Sequence, residues 1–304
     1  MAAAHPLLIA VMGETASGKT DLAEGLAAEL DAQLVNADSF QTYRGMDIGT
    51  AKSEQKALYK LLDIKDPDEP FGVGEWVQRA SAVLTDVYEQ QRSAVVVGGS
   101  GLNIRALFEQ YADMASAPDP ELREALNQTL AEEGLAHLVK KLQAIAPQVA
   151  ARTDLMNPVR VIRALERVKT ATEVIRVQLP PFTQVKFAIR TPVEQINGRI
   201  LIRVRQMLAS GWLEEVDALR QAGYGPNAPG FRAHGYRELW RVLQGELGLD
   251  EAVDSIVAQV RRYAKRQRTW SRTEPNLTVL DSEGEAKPVT QALAHLFALG
   301  EGGT

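Results

Sequence analysis

Short apolar runs recur along the chain, separated by stretches in which apolar residues return every three or four positions. The first run, "PLLIAVM", leads through a glycine-rich turn into "KTDLAEGLAAEL", where Leu22, Leu26 and Leu30 form an i, i+4, i+8 stripe. That order reads as strand, loop, helix. "AQLVNAD" is a second short buried strand ending at Asp38, followed by the polar loop "SFQTYRGMDIGTAK" and a helix over about 74–91. "SAVVVGG" is an uninterrupted apolar run, the mark of a parallel strand covered on both faces. From about 118 to 182 the chain turns helical and charged, with no convincing strand, until "VKFAI" reads as a return to the sheet. Helices are expected over roughly 192–222, 234–245 and 250–272, then a strand, "LTVLD", and a helix near 286–298. Alternating strands and helices predict an α/β fold, a doubly wound parallel sheet carrying an inserted all-helical domain, and the turn "GETASGKT" after the first strand makes it P-loop NTPase-like. The core would be residues 1–115 plus 184–304 and the insert 116–183.

Composition narrows the chemistry. The 304 residues are 45% hydrophobic and 24% charged, an ordinary globular profile. With no cysteine there is no disulfide, no thiolate nucleophile and no Cys-ligated zinc. His5, His137, His234 and His295 lie far apart and lack metal-ligand spacing. No apolar stretch nears the ~20 residues that span a bilayer, and "MAAAHPLLIA" lacks the charged start of a secretion signal. The expectation is a cytoplasmic protein without a membrane partner. A net charge of -5 argues mildly against nucleic acid, but the basic residues are clustered. "VRRYAKRQRTWSR" holds Arg261, Arg262, Lys265, Arg266, Arg268 and Arg272 with no acid among them. Such a run is either a nucleic-acid surface or simply the solvated face of a long helix.

The loop after the first strand is more specific. Gly13, Gly18, Lys19 and Thr20 fit the P-loop pattern, with Glu14, Thr15, Ala16 and Ser17 between them. Its backbone N–H groups and the following helix N-terminus form an anion cradle, to which Lys19 adds a point charge and Thr20 a hydroxyl for Mg2+. Nucleotide hydrolases place an acid at a neighbouring strand end to hold the metal. Here "SAVVV" ends in Gly98, Gly99 and Ser100, and no NKxD guanine motif is present. The carboxylate at a strand end is Asp38, either a loop cap or a reacting group. A nucleotide hydrolase is thereby disfavoured, while a small-molecule or nucleoside kinase stays as the alternative enzyme and an RNA-binding module as the alternative without catalysis.

"GETASGKT", "NADSFQTYRGMDIGTAK", "VVVGGSGLNIRAL", "NPVRVIRALE", "RAHGYREL" and "YAKRQRTW" occur in an order that resembles the tRNA dimethylallyltransferases, also called tRNA isopentenyltransferases. The resemblance runs from about residue 7 to 281. It implies transfer of a dimethylallyl group from dimethylallyl diphosphate to N6 of the adenosine just 3′ of the tRNA anticodon, with Mg2+ and without ATP. The phosphates in the loop would then be the leaving group, and Gly13 to Thr20 would hold them. By the same resemblance Asp38 is the proton acceptor, and Lys19, Thr20, Ser100 and Arg203 complete the catalytic set. Ser100 stands where the family usually has Thr, and Asn103 where it commonly has Tyr. Arg199 and Arg203, at i and i+4, would face the site; as plain surface residues they would pair with Glu194 or nearby acids. The anticodon stem-loop would be met by Asp38, Ser39, Phe40, Gln41 and Ser100, and from the insert by Arg123, Val159, Arg160, Val161, Ile162 and Arg163. Arg232, Ala233, His234, Gly235, Tyr236 and Arg237 would approach it too, as would Lys265, Arg266, Gln267, Arg268, Thr269, Trp270, Ser271 and Arg272. Related prenyltransferases act on free AMP, which needs neither the insert nor the basic helix. A monomer is expected, since nothing in the sequence demands a dimer.

Overall fold

The computed structural model describes residues 5–109, 119–170 and 178–301. Strand β1 (Leu7–Met12) leads into helix α1 (Lys19–Glu29), then β2 (Gln33–Asn36), a 3-10 turn at Lys56–Leu58, and β3 (Tyr59–Lys60). Helix α2 (Val73–Glu89), β4 (Ala94–Val97) and α3 (Gly101–Phe108) follow. Helices α4 (Pro120–Glu133), α5 (Leu135–Ile145), α6 (Pro147–Ala150) and α7 (Pro158–Thr170) come next. The chain then runs through β5 (Thr183–Arg190), α8 (Val193–Ala209), α9 (Trp212–Gln221), α10 (Tyr236–Leu243), α11 (Leu249–Ser271), β6 (Leu277–Asp281) and α12 (Pro288–Glu301).

The chain forms two compact units, Met1–Tyr111 with Val177–Thr304, and Ala112–Arg176. In the larger one a six-stranded, all-parallel sheet runs in the order β3-β2-β4-β1-β5-β6. Leu8, Ile9, Ala10 and Val11 of the central β1 have no solvent exposure, which explains their unbroken apolar run. Ile9, Val11, Val95 and Phe187 pack with Leu22 and Leu26 of α1 and Ala292 of α12. A second core joins α8 to α11 and reaches the loop after β2 through Tyr43 and Met46.

Two sequence expectations shift in detail. The second strand stops at Asn36, so Asp38 stands beyond its end. The helix expected over 192–222 is two, because Gly211 takes a left-handed φ of 96° and caps α9. The two-residue β3 is too short to show a period and was not expected.

The smaller unit is helical in its described residues. Its core comprises Leu126, Leu138, Leu142, Val161, Ile162 and Leu165. Among the described residues no helix is long and apolar enough to cross a membrane.

Candidate active site

The site lies outside the carboxyl ends of three adjacent strands, β2, β4 and β1, the usual place for a ligand in an open parallel sheet. From β1 comes the P-loop. Gly18 has φ 93°, a left-handed turn that delivers the chain into α1, and Ala16 is held at φ 62° despite its side chain. The N-terminus of α1 has no side-chain cap, so its first N–H groups are available to an anion. Lys19 Nζ donates to the Glu14 carbonyl at 2.5 Å. Burial, and next the Arg203 charge, bring its pKa down from 10.5 to about 8, against the pull of Asp38 and Glu14.

From β2 comes Asp38. Its N–H donates to Asn36 Oδ1 at 2.9 Å, and its Oδ1 accepts from the Phe40 N–H at 2.9 Å. One carboxylate oxygen thus closes a local turn and fixes the side chain, while Oδ2 carries no such bond among the described residues. Asp38 is both loop cap and pocket residue. From β4 comes Gly98, where a Cβ would lie 2.5 Å from the Ala37 carbonyl carbon and 2.7 Å from the Asp38 nitrogen. Only glycine lets the two strand ends approach this closely. Asn103 closes the arrangement, its Nδ2 donating to the Ala37 carbonyl at 3.1 Å and Ser39 Oγ at 3.3 Å.

These loops wall a solvent-open polar cavity of about 630 Å³ lined by Thr15, Lys19, Thr20, Asp38, Gln41, Gly98, Gly99 and Arg203. Thr50, Ala51, Ser53, Tyr59, Leu62, Val97, Tyr263 and Gln267 complete its wall. A second, more apolar cavity of about 700 Å³ shares Thr15, Asp38, Thr50, Ala51, Arg203 and Tyr263, and adds Phe40, Ile200, Val204, Met207, Trp212 and His234. Arg203 belongs to both and makes no ion pair among the described residues; burial depresses its pKa. Arg199, one turn earlier, is exposed and donates to the Ala16 carbonyl at 3.4 Å, so it braces the P-loop from outside. An anion cradle, a carboxylate and a guanidinium therefore meet an apolar chamber. No group of three or more His, Asp or Glu residues able to hold a metal unaided occurs among the described residues. The Thr20 hydroxyl in the polar wall suits Mg2+ instead, which keeps waters and takes substrate phosphate oxygens as ligands.

A model of the IPP transferase family matches residues 41–274. The chain belongs to the IPP transferase family. A tRNA dimethylallyltransferase of Pelobacter propionicus is 39% identical over 289 residues, covering 91% of this chain and 93% of the relative. The crystal structure of a full-length tRNA isopentenylpyrophosphate transferase from Bacillus halodurans superposes with a TM-score of 0.71 at 34% identity, covering 97% of this chain and 96% of that one. A eukaryotic dimethylallyltransferase acting on tRNA shares the fold at a TM-score of 0.80 and 20% identity, covering 97% and 80%.

Within this IPP transferase the other expected residues divide by position. Phe40 and His234 line the apolar cavity, and burial lowers the His234 pKa. Ser100 Oγ caps α3 by accepting from the Asn103 N–H at 3.4 Å. Ser17 is buried, with its Oγ unpartnered among the described residues. Arg232 and Arg237 are exposed, as are Lys265, Arg266, Thr269 and Arg272.

Several residues expected to meet tRNA make contacts within the protein. Val161 and Ile162 are core side chains of the helical unit, because α7 turns that face inward while Val159 and Arg160 stay exposed. Arg123 spends its guanidinium on the buried Glu166, at 2.5 and 2.7 Å. Gly235 and Tyr236 are buried, and Ala233 belongs to the apolar cavity wall. Gln267 is buried too. Its Oε1 accepts from the Thr15 N–H at 2.8 Å and its Nε2 donates to the Gly99 carbonyl at 3.0 Å, tying the P-loop to the β4 loop. Arg268 pairs bidentately with Glu14 of the P-loop, so the basic run does have an acid partner, from a distant segment. Trp270 is half-buried against Gly101 beneath the Arg105 guanidinium, 4.5 Å from the ring centroid. Thr50, Ala51, Ser53 and Tyr59 are site residues that sequence reasoning did not single out; the first three lie in "GTAKS", after the loop's last glycine.

Proposed function

We propose that this IPP transferase moves a dimethylallyl group from dimethylallyl diphosphate to N6 of the adenosine just 3′ of the anticodon in tRNA, acting as a cytoplasmic monomer. The observation that carries the reading is the convergence of Lys19, Thr20, Asp38 and Arg203 on one cavity, with an apolar chamber beside it.

The diphosphate sits on the N–H groups at the start of α1, with Lys19 and Arg203 neutralising the charge that grows as the C–O bond breaks. Thr20 would hold a Mg2+, which would supply Lewis-acid stabilisation to the leaving diphosphate. The apolar chamber takes the prenyl chain and excludes water from the carbon under attack. Adenine N6 is a weak nucleophile because its lone pair is delocalised into the ring. Asp38 accepts a hydrogen bond from N6–H and takes the proton as the N–C bond forms, while diphosphate leaves with the electron pair of the broken bond. An anticodon-loop base must be turned out to reach Asp38, with Phe40 and Tyr263 offering aromatic faces nearby. The exposed Lys265, Arg266 and Arg272 of the α11 end, and Arg160 of the helical unit, supply phosphate contacts.

The test is transfer of label from radiolabelled dimethylallyl diphosphate to unmodified tRNA, with Mg2+ and no ATP, followed by nucleoside analysis. Labelled dimethylallyladenosine is expected. ATP consumption with a free nucleoside, and no label in tRNA, would replace this reading with a kinase.

A further inference from the structure

The wall formed by Thr50 and Ala51 belongs to both cavities, yet it is part of an irregular loop with no strand or helix to hold it. Irregular backbone keeps a fixed shape only where its polar groups find partners. Within the loop the Ala51 N–H donates to the Ile48 carbonyl and the Lys52 N–H to the Asp47 carbonyl, both at 2.9 Å, while the N–H groups of the turn at 47–49 all go to one side chain. Glu215, in the first turn of α9, accepts from three successive backbone N–H groups: Asp47 at 2.7 Å, Ile48 at 2.7 Å and Gly49 at 3.1 Å. The Tyr236 hydroxyl donates to the same carboxylate at 2.6 Å. Three converging N–H groups make a concave anion site out of the turn, and the protein fills it with its own carboxylate.

Packing locks the turn from the same side. A Cβ on Gly49 would lie 2.0 Å from Trp212 Nε1 and 2.7 Å from Tyr236 Cε2, so the backbone rests directly on those two rings. The residues after the turn carry the consequence into the site. The carbonyls of Thr50 and Ala51 accept both amide protons of Gln41, at 3.0 and 3.1 Å, and Gln41 lines the polar cavity with Asp38. A shift of the turn would move the wall and release the Gln41 amide with it.

We propose that Glu215 is a positioning residue for the reaction: by holding the Asp47–Gly49 turn it sets the Thr50–Ala51 wall and the Gln41 side chain at the substrate cavities. The kinetic part rests on the function proposed above. Glu215 touches no reacting atom, and its work is geometric.

The experiment compares wild type with Glu215→Ala, Glu215→Gln and Tyr236→Phe by steady-state transfer kinetics and by hydrogen exchange of peptides covering 46–52. Glutamine keeps one acceptor oxygen, but its NH2 must face at least one N–H donor, so it holds the turn only in part. Loss of kcat/KM is expected to grow from roughly threefold in Tyr236→Phe to roughly tenfold in Glu215→Gln, and to about a hundredfold in Glu215→Ala. The loss should include raised KM values, with exchange accelerated over 46–52 and unchanged in α1. Unaltered exchange over 46–52 in Glu215→Ala would overturn the proposal. So would a lower kcat at unchanged KM with exchange raised everywhere, the sign of general unfolding. Should Glu215→Ala fail to fold, Tyr236→Phe and Glu215→Gln must still reproduce their order, and its absence counts against the proposal. If wild type itself transfers no prenyl group, the reading of the reaction falls, while exchange over 46–52 still decides whether Glu215 holds the wall.

Discussion

The P-loop and helix α11 are both rich in recognisable letters, and they behave differently. Around the P-loop, Lys19, Thr20, Asp38 and Arg203 of the expected catalytic set share one cavity, while Ser100 caps α3. Along α11 and its C-cap the residues of one basic run part company, Lys265, Arg266 and Arg272 facing solvent while Gln267 and Arg268 reach inward to the P-loop. A phosphate loop works through its backbone, so once its glycines are in place the chemistry follows the sequence. A helix works through its side chains, and 100° of rotation per residue decides whether each meets water, a ligand or the core.

The comparison can be pressed hardest at the P-loop. Lys19→Ala should cost roughly 10²–10³ in kcat, the usual loss for one charge-stabilising donor. Because the Lys19 pKa is lowered to about 8, the ammonium is present below that pH and lost above it. kcat/KM for the prenyl donor should therefore fall about tenfold per unit above pH 8 in wild type, and a pH profile of Lys19→Ala should lack that limb.

A second test asks whether the β4 end is equally constrained. Gly98→Ala puts a Cβ against Ala37 and the Asp38 nitrogen, displacing the carboxylate. A misplacement on the order of 1 Å should cost about a hundredfold in turnover, with tRNA affinity nearly unchanged.

Opposite faces of α11 should separate in the same kind of assay. Lys265→Ala and Arg266→Ala should each weaken tRNA binding and reduce the salt slope by about 1, leaving the donor KM alone. Gln267→Ala frees the Thr15 N–H and the Gly99 carbonyl, and should raise the donor KM by several-fold while leaving the salt slope as it was.

Helix α7 repeats the lesson on a smaller scale. Ile162→Ala should lower unfolding free energy by about 2–5 kcal/mol, read by thermal or denaturant melting. Arg160→Ala should change stability by no more than about 0.5 kcal/mol and weaken tRNA binding instead.

How far the sequence leads follows from the same distinction. Strands β1, β2, β4 and β5 were legible because buried parallel strands are continuous apolar runs, and the P-loop because its spacing has one physical purpose. The inward turn of Gln267 was legible in part. Buried Val253, Ile256, Val257 and Ala264 recur at helical spacing, and carrying the stripe one more turn lands on Gln267. Reading "KRQRTWSR" as a single surface hid that. The pairing of Arg268 with Glu14 was not legible, since it joins positions 254 residues apart. Neither was the grip of Glu215 on the 47–49 turn, where one acid among many on an amphipathic helix gives no local sign of its partners.

The central claim is that one crevice holds the donor diphosphate on the P-loop and presents adenine N6 to Asp38. Single-turnover transfer by preformed enzyme–tRNA complexes, mixed with labelled dimethylallyl diphosphate, compares wild type with Asp38→Asn most directly. The account predicts tRNA and donor affinities within a few-fold of wild type and a chemical step slower by roughly 10²–10⁴. A chemical step in Asp38→Asn as fast as in wild type would contradict it.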